Sequence, residues 1–210
     1  MMIIIKILSI LYAIIVHEVA HGYIALRQGD PTAKLDGRLT FNPIPHLDMF
    51  GSIILPGLLL LSGSPLVIGW AKPVMVNPLN FKNQRWGNTL VSLAGPAANL
   101  LSAIIFGLLL KILLGGGYLA ANNYLIIFLW YLMMINIVLM VFNLIPIPPL
   151  DGSKFLFDVL PPRWDAFKLF LMRQGPIILL GILIIDSWLG LGLFAGLINW
   201  FINIFNSFLF

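Results

Sequence analysis

The chain has 210 residues, of which 60% are hydrophobic and only 10% charged, with 12 Lys and Arg against 8 Asp and Glu. A soluble domain carries about 25% charged residues, and several runs here approach or exceed about 18 apolar residues, so the composition excludes an ordinary soluble globule and points to a polytopic membrane protein. The absence of Cys excludes disulfides, thiolate metal sites and a Cys nucleophile, and the scattered basic residues form no nucleic-acid patch.

Residues 3–26 predict the first helix, with Lys6 near its start and Gly29-Asp30-Pro31 stopping it. No cleavable signal peptide is evident. The apolar run leads directly into His17-Glu18-Val19-Ala20-His21, so the first segment is expected to be retained. Residues 27–49 are polar and broken by Pro31, Pro43 and Pro45. Leu35, Leu39 and Phe41 alternate with polar neighbours and predict a short membrane-associated β-hairpin or extended segment. Residues 50–70 are apolar but punctuated by Pro56, Gly57, Gly63 and Pro65, which favours a segment that enters and leaves by one face over a full span. A basic loop over 71–88 precedes helices at 89–113 and 122–145, separated by an uncharged glycine loop. Residues 153–174 carry Lys154, Arg163, Lys168 and Arg173, with an amphipathic interfacial helix expected from Arg163 to Met172. A final apolar region runs from about residue 176, and Asp186 near its middle has no evident role. The expected fold is thus a single all-α polytopic membrane domain over 1–210, with about five to six transmembrane helices and a β-hairpin or re-entrant segment after the first. The basic loops place residues 27–49, 71–88 and 153–174 on the cytoplasmic side.

The His-Glu-x-x-His stretch carries the chemistry. His17 and His21, four residues apart, lie one helical turn above one another on one face. That spacing suits one Zn²⁺, and Glu18 beside them suits a general base. Glu18 is the only Glu in the sequence, and His17 and His21 are two of its three His. Ionisable groups cost free energy inside an apolar helix and read there as functional. A catalytic zinc takes three protein ligands and keeps one open position. Position 27, where the third His of the longer zinc motif would stand, is Arg, so the third ligand comes from elsewhere. Asp151, directly after a proline-broken apolar helix and before Gly152, is favoured, with His46 as the alternative. Asp151 also suits the N-cap of a following helix. Asn99 and Asn143, both in apolar helices, suit substrate-backbone binding, support of the ligands, or helix–helix hydrogen bonding; Asn136 reads as the last of these.

With His17-Glu18-Val19-Ala20-His21 and Asn143-Leu-Ile-Pro-Ile-Pro-Pro-Leu-Asp151-Gly152, the chain resembles the site-2 protease family of intramembrane zinc metalloproteases, and most nearly its short prokaryotic members. Gly29-Asp30-Pro31-Thr32-Ala33, Gly37-Arg38-Leu39-Thr40-Phe41-Asn42-Pro43, Trp70-Ala71-Lys72-Pro73-Val74 and Ala94-Gly95-Pro96-Ala97-Ala98-Asn99 extend the likeness over residues 14 to about 160. The resemblance implies one Zn²⁺ held by His17, His21 and Asp151, with Glu18 as general base and Asn143 helping to hold an extended substrate. It also implies a strand edge over 35–54 to which unwound substrate adds. Implied partners are the bilayer and single-pass membrane proteins cut in their transmembrane segments; a homo-oligomer stays open. The implied location is the cell membrane, with the site toward the cytoplasm. A membrane zinc carrier and an inactive helix-binding scaffold are the rival readings. The lone Glu beside the metal ligands weighs against the first, and the intact ligand and base positions against the second.

Overall fold

The computed structural model describes residues 1–62 and 71–209. It is all-helical among these residues, and four helices are long and apolar enough to cross a membrane. Helix α1 (Met2–Arg27) follows the apolar run that the sequence predicts. It ends because Gly29 adopts φ +105°, a region other residues avoid, which lets the Gly29 and Asp30 amides donate back to the Leu26 and Ala25 carbonyls.

The expected β-hairpin over 27–49 is not formed. The chain instead makes a short helix α2 (Thr32–Leu35), closed by Gly37 at φ +67° with Arg38 N–H donating to Ala33, and a 3₁₀ turn at Ile44–His46. The reason is local. Turn-type bonds occupy the backbone groups that a ladder would need, and Pro31, Pro43 and Pro45 supply no donor. The apolar alternation has no common buried face, since Leu35 and Phe41 are 80% and 70% exposed. The strand edge expected over 35–54 is likewise missing, because a π-helical turn at Met49–Ile54 leads into α3 (Leu55–Leu61). The rest of the 50–70 region falls outside the described residues. Residues 71–77 form neither helix nor strand.

Helices α4 (Gly87–Gly115) and α5 (Tyr124–Asn143) match the predicted pair and pack on one another and on α1. Ser9 and Ala13 of α1 and Ser102 and Ala103 of α4 are buried, and small side chains of this kind let membrane helices approach closely. Leu110, Leu132, Met133, Ile137 and Met140 fill the core between α4 and α5, and part of α8 (Leu193–Leu209) packs against it.

Four candidate spans among the described residues leave the expected five to six unconfirmed. The interfacial helix and the apolar region after it form one continuous helix, α7 (Asp165–Leu189), which passes through Pro176 without ending. Gly190 and Gly192, at φ +63° and +65°, then separate it from α8, which is shorter than a usual span. Asp186 now has a role: its carboxylate accepts the Leu193 and Phe194 amides and caps α8.

The 27–49 and 71–88 loops are tied together by hydrogen bonds. Asp30 is fully buried, and its carboxylate accepts from the Thr32 amide and hydroxyl, the Asn77 amide and the Asn80 side chain. Burial pushes this carboxyl up, but those hydrogen bonds outweigh it and hold the group below the usual carboxylate range. Asp30→Asn turns an amide donor toward these donors. It should lower stability by about 3 kcal/mol, read as a fall of roughly 5–10 °C in the thermal midpoint of the detergent-solubilised protein. Because the folded pKa is depressed, the wild-type contribution is complete above the unfolded carboxylate pKa. It is lost as pH falls below about 4, a limb that the variant should lack.

Candidate metal centre

The chain returns from α5 to the centre of the bundle through residues 144–150. Turn hydrogen bonds fold this segment back, among them Ile145 N–H to Phe142 and Leu150 N–H to Ile147. Helix α6 (Gly152–Val159) follows and is tied to the start of α4, where the Thr89 amide and hydroxyl donate to Asp158 at 3.0 and 2.7 Å. The turn also explains Gly152, since an added Cβ there would overlap the Leu144 carbonyl. Asp151 therefore arrives opposite the α1 histidines, 134 residues after His17.

Asp151 Oδ2 lies 3.0 Å from His17 Nε2 and 3.1 Å from His21 Nε2, and the two Nε2 atoms are 2.9 Å apart. All three residues are buried, at 6–7% exposure. The partners on the far side of each ring fix the tautomers. His21 Nδ1 sits 2.7 Å from the Val91 carbonyl, which only accepts. His17 Nδ1 sits 2.6 Å from Asn99 Oδ1. The orientation of that amide is set in turn, because Asn99 Nδ2 donates to the Ala13 carbonyl and to Asn136 Oδ1, while Asn136 Nδ2 donates to Leu132. Both imidazoles thus carry their proton on Nδ1 and aim a bare Nε2 inward. Three electron-pair donors converge with no proton of their own between them, an arrangement that calls for a cation. Two imidazoles and a carboxylate are a donor set zinc accepts, with one position left open.

Helix α4 lies directly over this triangle. A Cβ at Gly95 would come within 2.5 Å of His17 Cε1 and His21 Nε2. Burial pushes the Asp151 carboxyl up. The Lys154 ammonium, 3.2 Å from Oδ1, opposes this and favours the anion. Although Asp151 stands at the N-cap position of α6, its side chain caps no amide there and is turned to the histidines.

Glu18 lies off the histidine face, and its Oε2 accepts from the Val74 amide at 2.8 Å. Glu18, His17, His21, Asp151 and Asn143 line one cavity of about 400 Å³, together with Pro73–Val76, Asn88, Val91 and Lys154. Asn143 donates from Nδ2 to the Leu139 carbonyl. The sequence-based reading of Asn99 as a substrate-binding residue does not match its place. It is fully buried, does not line the cavity, and its amide is engaged by His17, Ala13 and Asn136. His46 stands apart from the triangle, with Nε2 donating to Thr40. Gly95, Val74 and Lys154 were given no role in the site from the sequence. Gly95 and Val74 lie in segments that carried the family resemblance, and Lys154 had its i,i+3 spacing from Asp151 at a helix start.

Residues 111–182, which include Asn143 and Asp151, match the model of peptidase family M50. The chain is 44% identical over 159 residues to "Putative zinc metalloprotease YwhC" of Bacillus subtilis, covering 74% of this chain and 69% of that one. It is 30% identical over 196 residues to "Putative zinc metalloprotease Rip2" of Mycolicibacterium smegmatis, covering 92% and 71%, and 29% identical over 198 residues to Rip2 of Mycobacterium tuberculosis. No solved structure matches the chain. Identity of this extent over most of both sequences, joined to a family match through the Asp151 segment, makes the chain a member of peptidase family M50, the site-2 proteases.

Proposed function

We propose that this chain is a zinc metalloendopeptidase that hydrolyses peptide bonds within or beside the transmembrane segments of single-pass membrane proteins. In this reading His17, His21 and Asp151 hold one Zn²⁺ and Glu18 is the general base. The observation that carries it is the convergence of three bare donor atoms with Glu18 in one cavity, among helices apolar enough to cross a membrane.

Zinc, when bound, supplies a Lewis acid and lowers the pKa of a water to about 7. The chain's own residues do the rest. Asn99 and the Val91 carbonyl hold the imidazole tautomers that leave both Nε2 atoms free. The Val74 amide fixes Glu18 through Oε2, which leaves Oε1 to take a proton from the attacking water. The water oxygen bonds to the scissile carbonyl carbon, the C–N bond breaks, and Glu18 returns the proton to the leaving nitrogen. Asn143 and residues 73–76 line the cavity where an unwound substrate would lie. Helical peptide bonds are shielded by their own hydrogen bonds, so unwinding precedes attack.

The proposed location is the cell membrane, with the site at the cytoplasmic ends of the helices. The basic 27–49, 71–88 and 153–174 regions support it. The first two are joined by Lys82 N–H to Gln28 and Asn77 N–H to Asp30, and the third is tied to α4 through Asp158.

Elemental analysis of the purified wild type and Asp151→Ala tests the reading, alongside cleavage of a reconstituted single-pass substrate. About one zinc per chain and cleavage are expected in the wild type, with both largely lost in the variant. A wild type that binds no zinc, or a variant that keeps it, overturns the ligand assignment.

A further inference from the structure

The two oxygens of Asp151 are used differently. Oδ2 faces both imidazoles, whereas Oδ1 accepts from Lys154 Nζ at 3.2 Å. Among the described residues Oδ1 has no other hydrogen-bond partner, and the carboxylate caps no amide of α6. Lys154 stands three residues on, in the first turn of α6, so its side chain returns over Asp151. It also lines the cavity. An exposed i,i+3 ion pair is ordinarily worth little. This pair differs because one partner is a buried carboxylate, 9% exposed, while the Lys154 side chain is 50% exposed.

A carboxylate can ligate a cation through one oxygen or through both. The choice depends on rotation about Cβ–Cγ, and a group that occupies one oxygen decides it. We infer that Lys154 is a positioning residue: its ammonium engages Oδ1 of Asp151 and limits that carboxylate to ligation through Oδ2, so that the position needed for hydrolysis stays open. The inference rests on the zinc reading above. It assigns Lys154 a task that simple charge does not perform, since an ammonium near a dication repels it. With Lys154 removed, Oδ1 is free to turn inward as an added donor, raising the coordination number by one and crowding the position needed for hydrolysis.

Cobalt(II) is the probe, because its visible absorption weakens as the coordination number rises from four to five. Wild type, Lys154→Met, Lys154→Arg and Asp151→Ala are each loaded with Co²⁺ at one equivalent. The half-exposed Lys154 carries little of the packing, so its variants are expected to fold. Lys154→Met should bind cobalt with a marked loss of visible intensity, and its zinc form should lose about 10- to 100-fold in kcat with KM little changed. Lys154→Arg should restore both. An unchanged spectrum in Lys154→Met overturns the inference. Failure of that variant to bind cobalt does so too, because the ammonium would then serve affinity and not the mode of ligation. The wild-type spectrum persisting in Asp151→Ala is a different result, which removes Asp151 from the ligand set and takes the zinc reading with it.

Discussion

Glu18→Gln should retain about one zinc per chain and lose roughly 10²- to 10⁴-fold in peptide hydrolysis, the range that a positioned general base contributes. The structure makes this substitution a clean one. Glu18 Oε2 is held by the Val74 amide, and the carbonyl oxygen of Gln can accept the same hydrogen bond. The side chain therefore keeps its place while it loses the ability to take a proton. The ligand atoms belong to other residues, so metal content should not move. Zinc analysis and cleavage of a reconstituted single-pass substrate, on the same preparation, check both halves. Cleavage at the wild-type rate would remove Glu18 from the chemistry.

The second large effect is expected from a single methyl group. Gly95→Ala places a Cβ about where His17 Cε1 and His21 Nε2 already lie, at a 2.5 Å separation that real atoms do not tolerate. Something must move, and the imidazoles have little freedom. His17 is pinned at Nδ1 by Asn99, and His21 by the Val91 carbonyl. Both anchors belong to α4, the helix that carries the new methyl, so pushing α4 away also breaks them. Overpacking of this kind costs about 1–3 kcal/mol of stability. The larger loss is functional, since misplacing a catalytic group by about 1 Å can cost 10²-fold. Zinc affinity by chelator competition should fall, and hydrolysis should drop at least about 100-fold. Ala98→Gly, on the same helix, controls for a general weakening of α4. Wild-type zinc affinity in Gly95→Ala would mean that α4 does not press on the histidines as the structure shows.

The parts of the fold that were legible in the sequence share one physical signature. Helices α1, α4 and α5 are long apolar runs, and their ends fell within about two residues of expectation because lipid leaves a backbone few alternatives to a helix. Residues 27–49 misled because alternation of Leu35, Leu39 and Phe41 signals a strand only where one face is buried, and here two of the three are exposed. The interfacial helix expected over Arg163–Met172 and the apolar region from about residue 176 run together as α7, since a membrane helix tolerates a proline such as Pro176. Within the site, His17, Glu18 and His21 were readable because their spacing is local. Asp151 was readable as a candidate because a carboxylate at the end of an apolar helix is conspicuous. Asn99 was misjudged toward substrate because an Asn in an apolar helix shows that it needs partners without showing which; its partners are on α1 and α5. Gly95 and the Val74 amide carry no side-chain signal at all. A bare backbone pressed against two imidazoles is visible only in three dimensions.

The 134-residue separation between His17 and Asp151 has a consequence for biosynthesis. The ribosome delivers the two histidines early, yet Asp151 follows only after α4 and α5 have been made. At ordinary elongation rates that interval is on the order of ten seconds. Throughout it the nascent chain holds two imidazoles and Glu18 but no complete ligand set. The chain is therefore born inert, and competence arrives only with the last member of the triangle.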